Sequence, residues 1–302
     1  MKRKKIDWFK IILYTFFAIL SLCFILPLVL IVSASFTSEQ ALTGSGGFSL
    51  LPREFSLDAY AAAFANKERM IRAYAVTIFQ AAVGTFTSCL VCGWIAYPLS
   101  RSNFRFKGVI TGIVFFTMLF GAGTIPNYIV YSRYYHITNS IWIYLLPGIT
   151  GGAWNTMIFR TFFKGLPESL FESAKLDGAK EFRIFFQIVL PLSTPVFATL
   201  GFMTLVGKWN DYATSLIYIR DDRLYTLQYL LQRLMQEASF LKGMASNAEV
   251  TLSQEMLQSI EAMPSESLKY AMCVVAAGPM LFVFPFFQKY FSKGLTVGAV
   301  KG

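Results

Sequence analysis

Few residues in this sequence could do covalent chemistry. Cys89-x-x-Cys92 has the spacing of a redox or metal pair. It lies inside one apolar run with no second pair nearby, so its thiols read as small packing groups, as do Cys23 and Cys273. His136 is the sole histidine, which leaves no cluster of histidines and carboxylates for a metal site or a hydrolase. The sequence has no Gly-x4-Gly-Lys-Ser/Thr phosphate loop, so the chain would not hydrolyse ATP itself. We therefore expect no catalytic residue, no metal ligand and no cofactor in this chain. The residues that do invite a function form a charged island between long apolar runs, Leu166 to Pro191. Their chemistry is recognition rather than catalysis.

The island reads as two short helices around a turn. Pro167 suits a first helical turn, where its missing N–H costs nothing. Glu168 and Glu172 follow where the helix dipole favours acids. Leu166, Leu170, Phe171 and Ala174 fall on one face at helical spacing. Asp177-Gly178 then stops the helix, with Gly178 free to take a left-handed conformation just past its end. A second short helix is predicted from Ala179 toward Pro191. An apolar stripe with a charged rim, held at a membrane surface, suits docking into a groove on a partner.

The rest of the chain supplies the membrane. Of 302 residues, 55% are hydrophobic and only 15% charged, with 30 Phe; a soluble domain would carry about a quarter charged residues. Six apolar stretches are predicted to span: about 11–32, 73–99, 108–130, 140–163, 184–206 and 268–290. The first is too long for a signal peptide and shows no small-residue cleavage site before the next polar segment. The second is rich in Gly, Ala, Ser and Thr, which lets helices approach closely. The third and fourth contain Gly121-Ala122-Gly123, Pro126, Pro147-Gly148 and Gly151-Gly152. Such breakers fit either a kink for packing or the wall of a water-filled path. No repeat of 20–50 residues is evident, and one domain is expected.

The net charge of +10 is topological. With six spans, both termini fall on one side with the loops at 100–107 and 164–183, and these segments hold most of the Lys and Arg. By the positive-inside rule that side is cytoplasmic. The long segment 208–267 leans acidic and falls outside. This placement argues against nucleic-acid binding and for a multi-pass membrane protein.

The spacing within the island is a known one. Glu172-Ser173-Ala174, three residues, Gly178, nine residues, then Ile188-x-Leu190-Pro191 closely resembles the EAA loop of ATP-binding-cassette (ABC) importer permeases. Ser173 replaces the motif's middle Ala, one small residue for another. Ala96-Tyr97-Pro98-Leu99-Ser100-Arg101, Gly207-Lys208-Trp209-Asn210-Asp211-Tyr212 and the tail from Lys289 to Gly302 resemble the carbohydrate-importing, maltose-type members. The longer outer segment is similar to the branch that imports fragments of polysaccharides, such as aldouronates and pectic or alginate oligosaccharides.

The resemblance implies an all-α membrane protein: six transmembrane helices in the type I ABC importer permease fold, with cytoplasmic EAA coupling helices. It implies a second permease subunit, a dimer of ATPase subunits that bind ATP and Mg, an extracellular solute-binding protein and a carbohydrate substrate, all working in a lipid bilayer. It assigns ATPase coupling to Glu172, Ser173, Ala174, Asp177, Gly178, Leu190 and Pro191. It assigns ATPase contact to the tail residues Lys293, Gly294, Gly298 and Lys301.

Pyranose rings offer apolar faces and a hydroxyl rim, which aromatic and amide or carboxylate side chains can match. Trp209, Asn210, Asp211 and Tyr212 are therefore candidates for the substrate path, with Asn127 and Asn155 beside the breakers. Interface anchoring explains the same Trp and Tyr without a substrate. An ion-coupled carrier would be expected to bury a carboxylate in its spans, and almost none is present. A membrane-embedded enzyme would need a nucleophile and base that the sequence lacks. A non-sugar solute remains open to an importer of this kind.

Overall fold

The computed structural model describes residues 8–44, 47–149, 152–246 and 265–299, with the backbone alone for 244–246 and 291–299. The protein is mostly helical. Among the described residues, the β contact is an isolated bridge between Thr37 and Phe55. The chain divides into two compact units, one from residues 1–67 and 231–278 and the other from 68–230 and 279–302.

In the first unit, α1 (Trp8–Ser35) is apolar over most of its length, and most of its side chains are exposed until Ser33, Ala34 and Ser35. The turn that follows is held by the Ser35 and Tyr60 hydroxyls at 2.8 Å and by Phe36 stacked on Phe55. Tyr60 belongs to α3 (Asp58–Ala63) and Glu39 to α2 (Glu39–Thr43).

Glu39 is the polar hub of this unit. Its carboxylate accepts from Lys242 Nζ at 2.9 Å, from the Ser265 and Ser267 hydroxyls at 2.9 Å, and from the Glu266 and Ser267 backbone N–H groups at 2.9–3.1 Å. Those N–H groups open the last helix, whose first-turn donors have no intrahelical partner. Glu39 thus caps a helix more than 220 residues away.

The second unit is built on α4 (Lys67–Ser100), half of whose apolar window is buried. Small residues let other helices close on it: a Cβ on Gly93 would lie 2.7 Å from Phe197 Cζ. After α4 come α5 (Lys107–Leu119), α6 (Thr124–Ile129), α7 (Leu146–Ile149), α8 (Ala153–Lys164), α9 (Glu168–Leu176), α10 (Glu181–Ile184), α11 (Leu190–Leu192), α12 (Thr194–Trp209) and α13 (Ala213–Tyr218), and α8 packs against both α5 and α12. Helices α14 (Leu227–Ser246) and α15 (Glu266–Ala299) complete the described chain. One core joins Cys89, Cys92, Ala96 and Tyr97 of α4 to Phe159 and Phe163 of α8, to Phe171 and Ala174 of α9, and to Ile184, Phe185 and Val189. Both cysteines of the C-x-x-C spacing are thus core residues.

Three helices (α1, α4 and residues 266–290) are long and apolar enough to cross a membrane, and two bent pairs raise the candidates to five. The six expected spans are therefore not all single helices. The third, expected over 108–130, breaks between α5 and α6 with a bend of 111°; Gly123 there adopts φ +83°. Over 140–163 the described chain is a 3-10 turn (Ile141–Tyr144), then α7, then α8 starting after Gly152. The fifth begins at Glu181, earlier than expected, and bends 79° at Ser193. Pro195 has no N–H to give the Pro191 carbonyl. The Thr194 hydroxyl donates to that carbonyl instead, at 2.7 Å, which is how a break at membrane depth is satisfied.

Candidate functional site

Helix α9 follows Pro167, which sits just ahead of its first turn as the N-cap residue. Its end is a complete Schellman motif. The Gly178 N–H donates to Lys175 O at 3.0 Å and the Ala179 N–H to Ala174 O at 2.9 Å, with Gly178 at φ +74° and Asp177 as C-cap. This pairing of last carbonyls needs a left-handed residue past the helix end. The chain resumes as α10 at Glu181, two residues later than expected, and widens into a π-turn over Phe185–Val189.

The predicted apolar face of α9 divides. Phe171 and Ala174 are buried, 2% and 7% exposed, while Leu170 is 39% exposed. A second apolar surface points outward: Leu176 is 89% and Phe182 69% exposed. Glu172, Ser173, Asp177 and Gly178 are exposed too, as is Pro191, and Leu190 is half-buried. The two short helices thus bury one face in the unit's core and offer the other.

The end of α4 clamps them in place. The Tyr97 hydroxyl donates to Glu181 Oε2 at 2.6 Å, and Lys175 Nζ pairs with Glu181 Oε1 at 2.9 Å. The Arg101 guanidinium lies 3.5 Å over the Phe171 ring, a cation–π contact, and reaches Glu168 at 3.7 Å. Ser102 also donates to Glu168, at 3.2 Å. Beside these contacts opens a cavity of about 560 Å³ whose lining includes Trp94, Phe104, Lys175 and Phe182. Sequence reasoning matched Tyr97 and Arg101 only to a pattern. Their role as a clamp depends on pairings 60 to 85 positions apart.

The candidates for the substrate path are brought together in part. Trp209 is 5% exposed and offers no open ring face. Asn210 is exposed and caps α12, its amide N donating to Val206 O at 3.0 Å and its Oδ1 accepting from Gln228 at 3.2 Å. Asp211 accepts from Gln80 Nε2 at 2.8 Å, the Thr214 N–H at 3.0 Å and the Thr214 hydroxyl at 2.6 Å. Tyr212 is 43% exposed. Asn155 is half-buried and donates to Thr204 on α12 at 3.2 Å. Asn127 sits half-buried on α6 and, among the described residues, makes no bond to that cluster. Of the tail candidates, Lys293, Gly294 and Gly298 fall on the backbone of α15, and Lys301 lies outside the described residues.

Residues 89–297 match the family described as "Binding-protein-dependent transport system inner membrane component". The chain belongs to this family. It is a permease component of a transport system, not an enzyme, and membership sets aside the ion-coupled carrier and the membrane-embedded enzyme. The permease is 35% identical over 294 residues, 97% of its own length and 98% of the relative's, to the polygalacturonan/rhamnogalacturonan transport system permease protein YtcP of Bacillus subtilis (strain 168). It is also 35% identical to protein LplC of the same organism, across 92% of this chain and 90% of that one. Among solved structures it resembles a bacterial ABC transporter involved in the import of the acidic polysaccharide alginate. That likeness has a TM-score of 0.74 at 26% identity and covers 96% of this permease and 99% of the matched chain.

Proposed function

We propose that this permease is one of two transmembrane subunits of an ATP-driven importer of oligosaccharides, and that the α9–α10 segment is its coupling element. The observation that carries this reading is the clamped helix–turn–helix. Its inner face is fixed by Tyr97 and Arg101, and its outer face presents Glu172, Leu176 and Phe182. A rigid part that is apolar and charged on its free side suits docking to a partner. The partner is an ATPase dimer, which binds ATP and Mg; closure of that dimer moves the docked helices and turns the path from one side to the other. The tail from Lys293 to Lys301 lies against the same ATPases. In this reading the broken stretch at 140–163 is a sixth span beside the five candidates, so that both termini and the 164–183 loop lie in the cytoplasm and 208–267 lies outside, facing a solute-binding protein. The carbohydrate relatives support a sugar as the solute.

Reconstitution tests the reading. The permease, co-purified with its second permease and ATPase and supplied with its binding protein, should take up oligosaccharide into proteoliposomes only when ATP is enclosed with the ATPase side. Uptake driven by an ion gradient without ATP would overturn it. Uptake of a peptide or metal in place of sugar would overturn the substrate alone.

A further inference from the structure

The last turn of α12 carries a cation that the fold holds inward. The Lys208 stem runs against α4 and α7: a Cβ on Gly84 would lie 2.8 Å from Lys208 Cε, and one on Gly148 would lie 3.1 Å from its Nζ. Two glycines therefore leave the room this side chain fills. Its hydrogen bond among the described residues is to the Tyr144 carbonyl at 3.5 Å, a long contact. Tyr144 is itself fixed, its hydroxyl bonded to Ser215 at 2.7 Å and donating to Leu224 O at 2.7 Å. Asp211 is close by, yet its carboxylate is engaged by Gln80 and Thr214, and Lys208 makes no ion pair among the described residues. Beside it lies an open cavity of about 250 Å³, lined also by Asn210, Asp211 and Tyr212.

Lys208 is half-buried at the outer end of a spanning helix, and an ammonium there that lines a cavity without an ion pair marks a solute pathway. The helix C-terminus favours a cation by only about 0.3–1 kcal/mol, and that benefit does not require a pocket built from two glycines. We propose that Lys208 is a specificity-determining residue whose ammonium pairs with a carboxylate of the transported solute, so that this importer takes acidic, uronate-bearing oligosaccharides. The inference rests on the carbohydrate reading above. The amide of Asn210 and the hydroxyl of Tyr212 would then meet the sugar's hydroxyl rim next to the charge.

The test is uptake by the complete transporter with its binding protein, using trigalacturonate as the carboxylate-bearing sugar and maltotriose as a neutral one of equal length. The wild type should take up trigalacturonate. Lys208→Gln should raise the half-saturation for it by roughly tenfold or more, the scale of a lost charge-assisted hydrogen bond. Lys208→Arg should stay within about threefold, because it restores the charge. Should the glutamine variant fail to assemble, Gly148→Ala keeps the lysine while crowding Nζ, and should raise the same half-saturation. Unchanged half-saturation in Lys208→Gln, or an equal loss in Lys208→Arg, would overturn the assignment of Lys208. Uptake of maltotriose but not trigalacturonate would overturn the acidic substrate. Uptake of neither, with ATP-dependent uptake of another solute class, would overturn the carbohydrate reading itself.

Discussion

The Tyr97 hydroxyl and the Glu181 carboxylate meet at 2.6 Å across 84 positions of sequence. This bond ties the last turn of α4 to the first residue of α10. Removing it in Tyr97→Phe should cost on the order of 1 kcal/mol, less than is usual for a bond to a charged group, because Glu181 is more than half exposed and regains water. The unit should still fold on its aromatic core. We expect ATPase stimulation by loaded binding protein to fall severalfold while the amount of assembled complex changes little. Equal stimulation in wild type and Tyr97→Phe would show that the clamp does not transmit motion.

Gly178 separates conformation from crowding. A Cβ there meets nothing within 4 Å, so any penalty comes from φ +74° alone. A left-handed residue with a side chain costs about 1–2 kcal/mol, and more when β-branched. Gly178→Val should therefore abolish coupled uptake, whereas Gly178→Asn should keep most of it, since Asn tolerates this region. Membrane insertion should be normal in both. If Asn and Val variants lose uptake alike, the turn's conformation is not what matters.

Glu39 gives a pH signature to the first unit. Burial pushes its carboxyl upward, but Lys242, the Ser267 and Glu266 N–H groups and Ser265 more than offset this and lower it from 4.5 to about 2. A depressed folded value means the stabilisation is complete above the unfolded value and disappears as pH falls between about 4.5 and 2. Its size is on the order of 3 kcal/mol. Thermal melts of the detergent-solubilised wild type should be level from pH 7 to 5 and drop below 4.5. Glu39→Gln should melt lower at neutral pH and lose much of that acid dependence. A parallel pH profile for wild type and variant would refute the capping role.

Trp209 and Asn210 are adjacent and should behave differently. Trp209→Leu removes a buried ring and should lower yield and melting temperature, by about 1–3 kcal/mol of stability, with unchanged half-saturation in what survives. Asn210→Ala leaves a solvent-facing helix end and should alter sugar dependence without loss of assembled complex. Uptake assays alongside size-exclusion profiles distinguish these; a reversed pattern would make Trp209 the contact.

Local rules made the α9–α10 segment legible. Pro167, the acids after it and Asp177-Gly178 act over a few residues, and the structure places a helix and a left-handed glycine where they point. The breakers also announced trouble in the third and fourth spans, since a glycine cluster and prolines interrupt a helix whatever surrounds it. The bend at Ser193 was missed because Pro191 and Pro195 can both be carried inside a bent helix. Burial of Trp209 and the reach of Arg101 to Phe171 depend on which distant faces meet, and no spacing encodes that. Glu39 was invisible for the same reason: an acid in an outer loop gives no sign that it will cap a helix beginning at Glu266.

The π-turn at Phe185–Val189 has its own implication for the motif. The Leu190 N–H reaches back five residues to Phe185 O, so this turn holds one residue more than an α-helical turn would. The nine-residue interval between Gly178 and Ile188 therefore includes a surplus residue. Deleting one residue inside 185–189 would let the ladder close as an ordinary α-helix. The turns on either side would keep their phase, because the five residues of the wide turn sweep about the angle of four α-helical ones; deleting a residue within Leu190–Leu192 instead would rotate everything before it by roughly 100° against the bend at Ser193. The outward face bearing Phe182 would be turned into the core, although no side chain of that face had been changed.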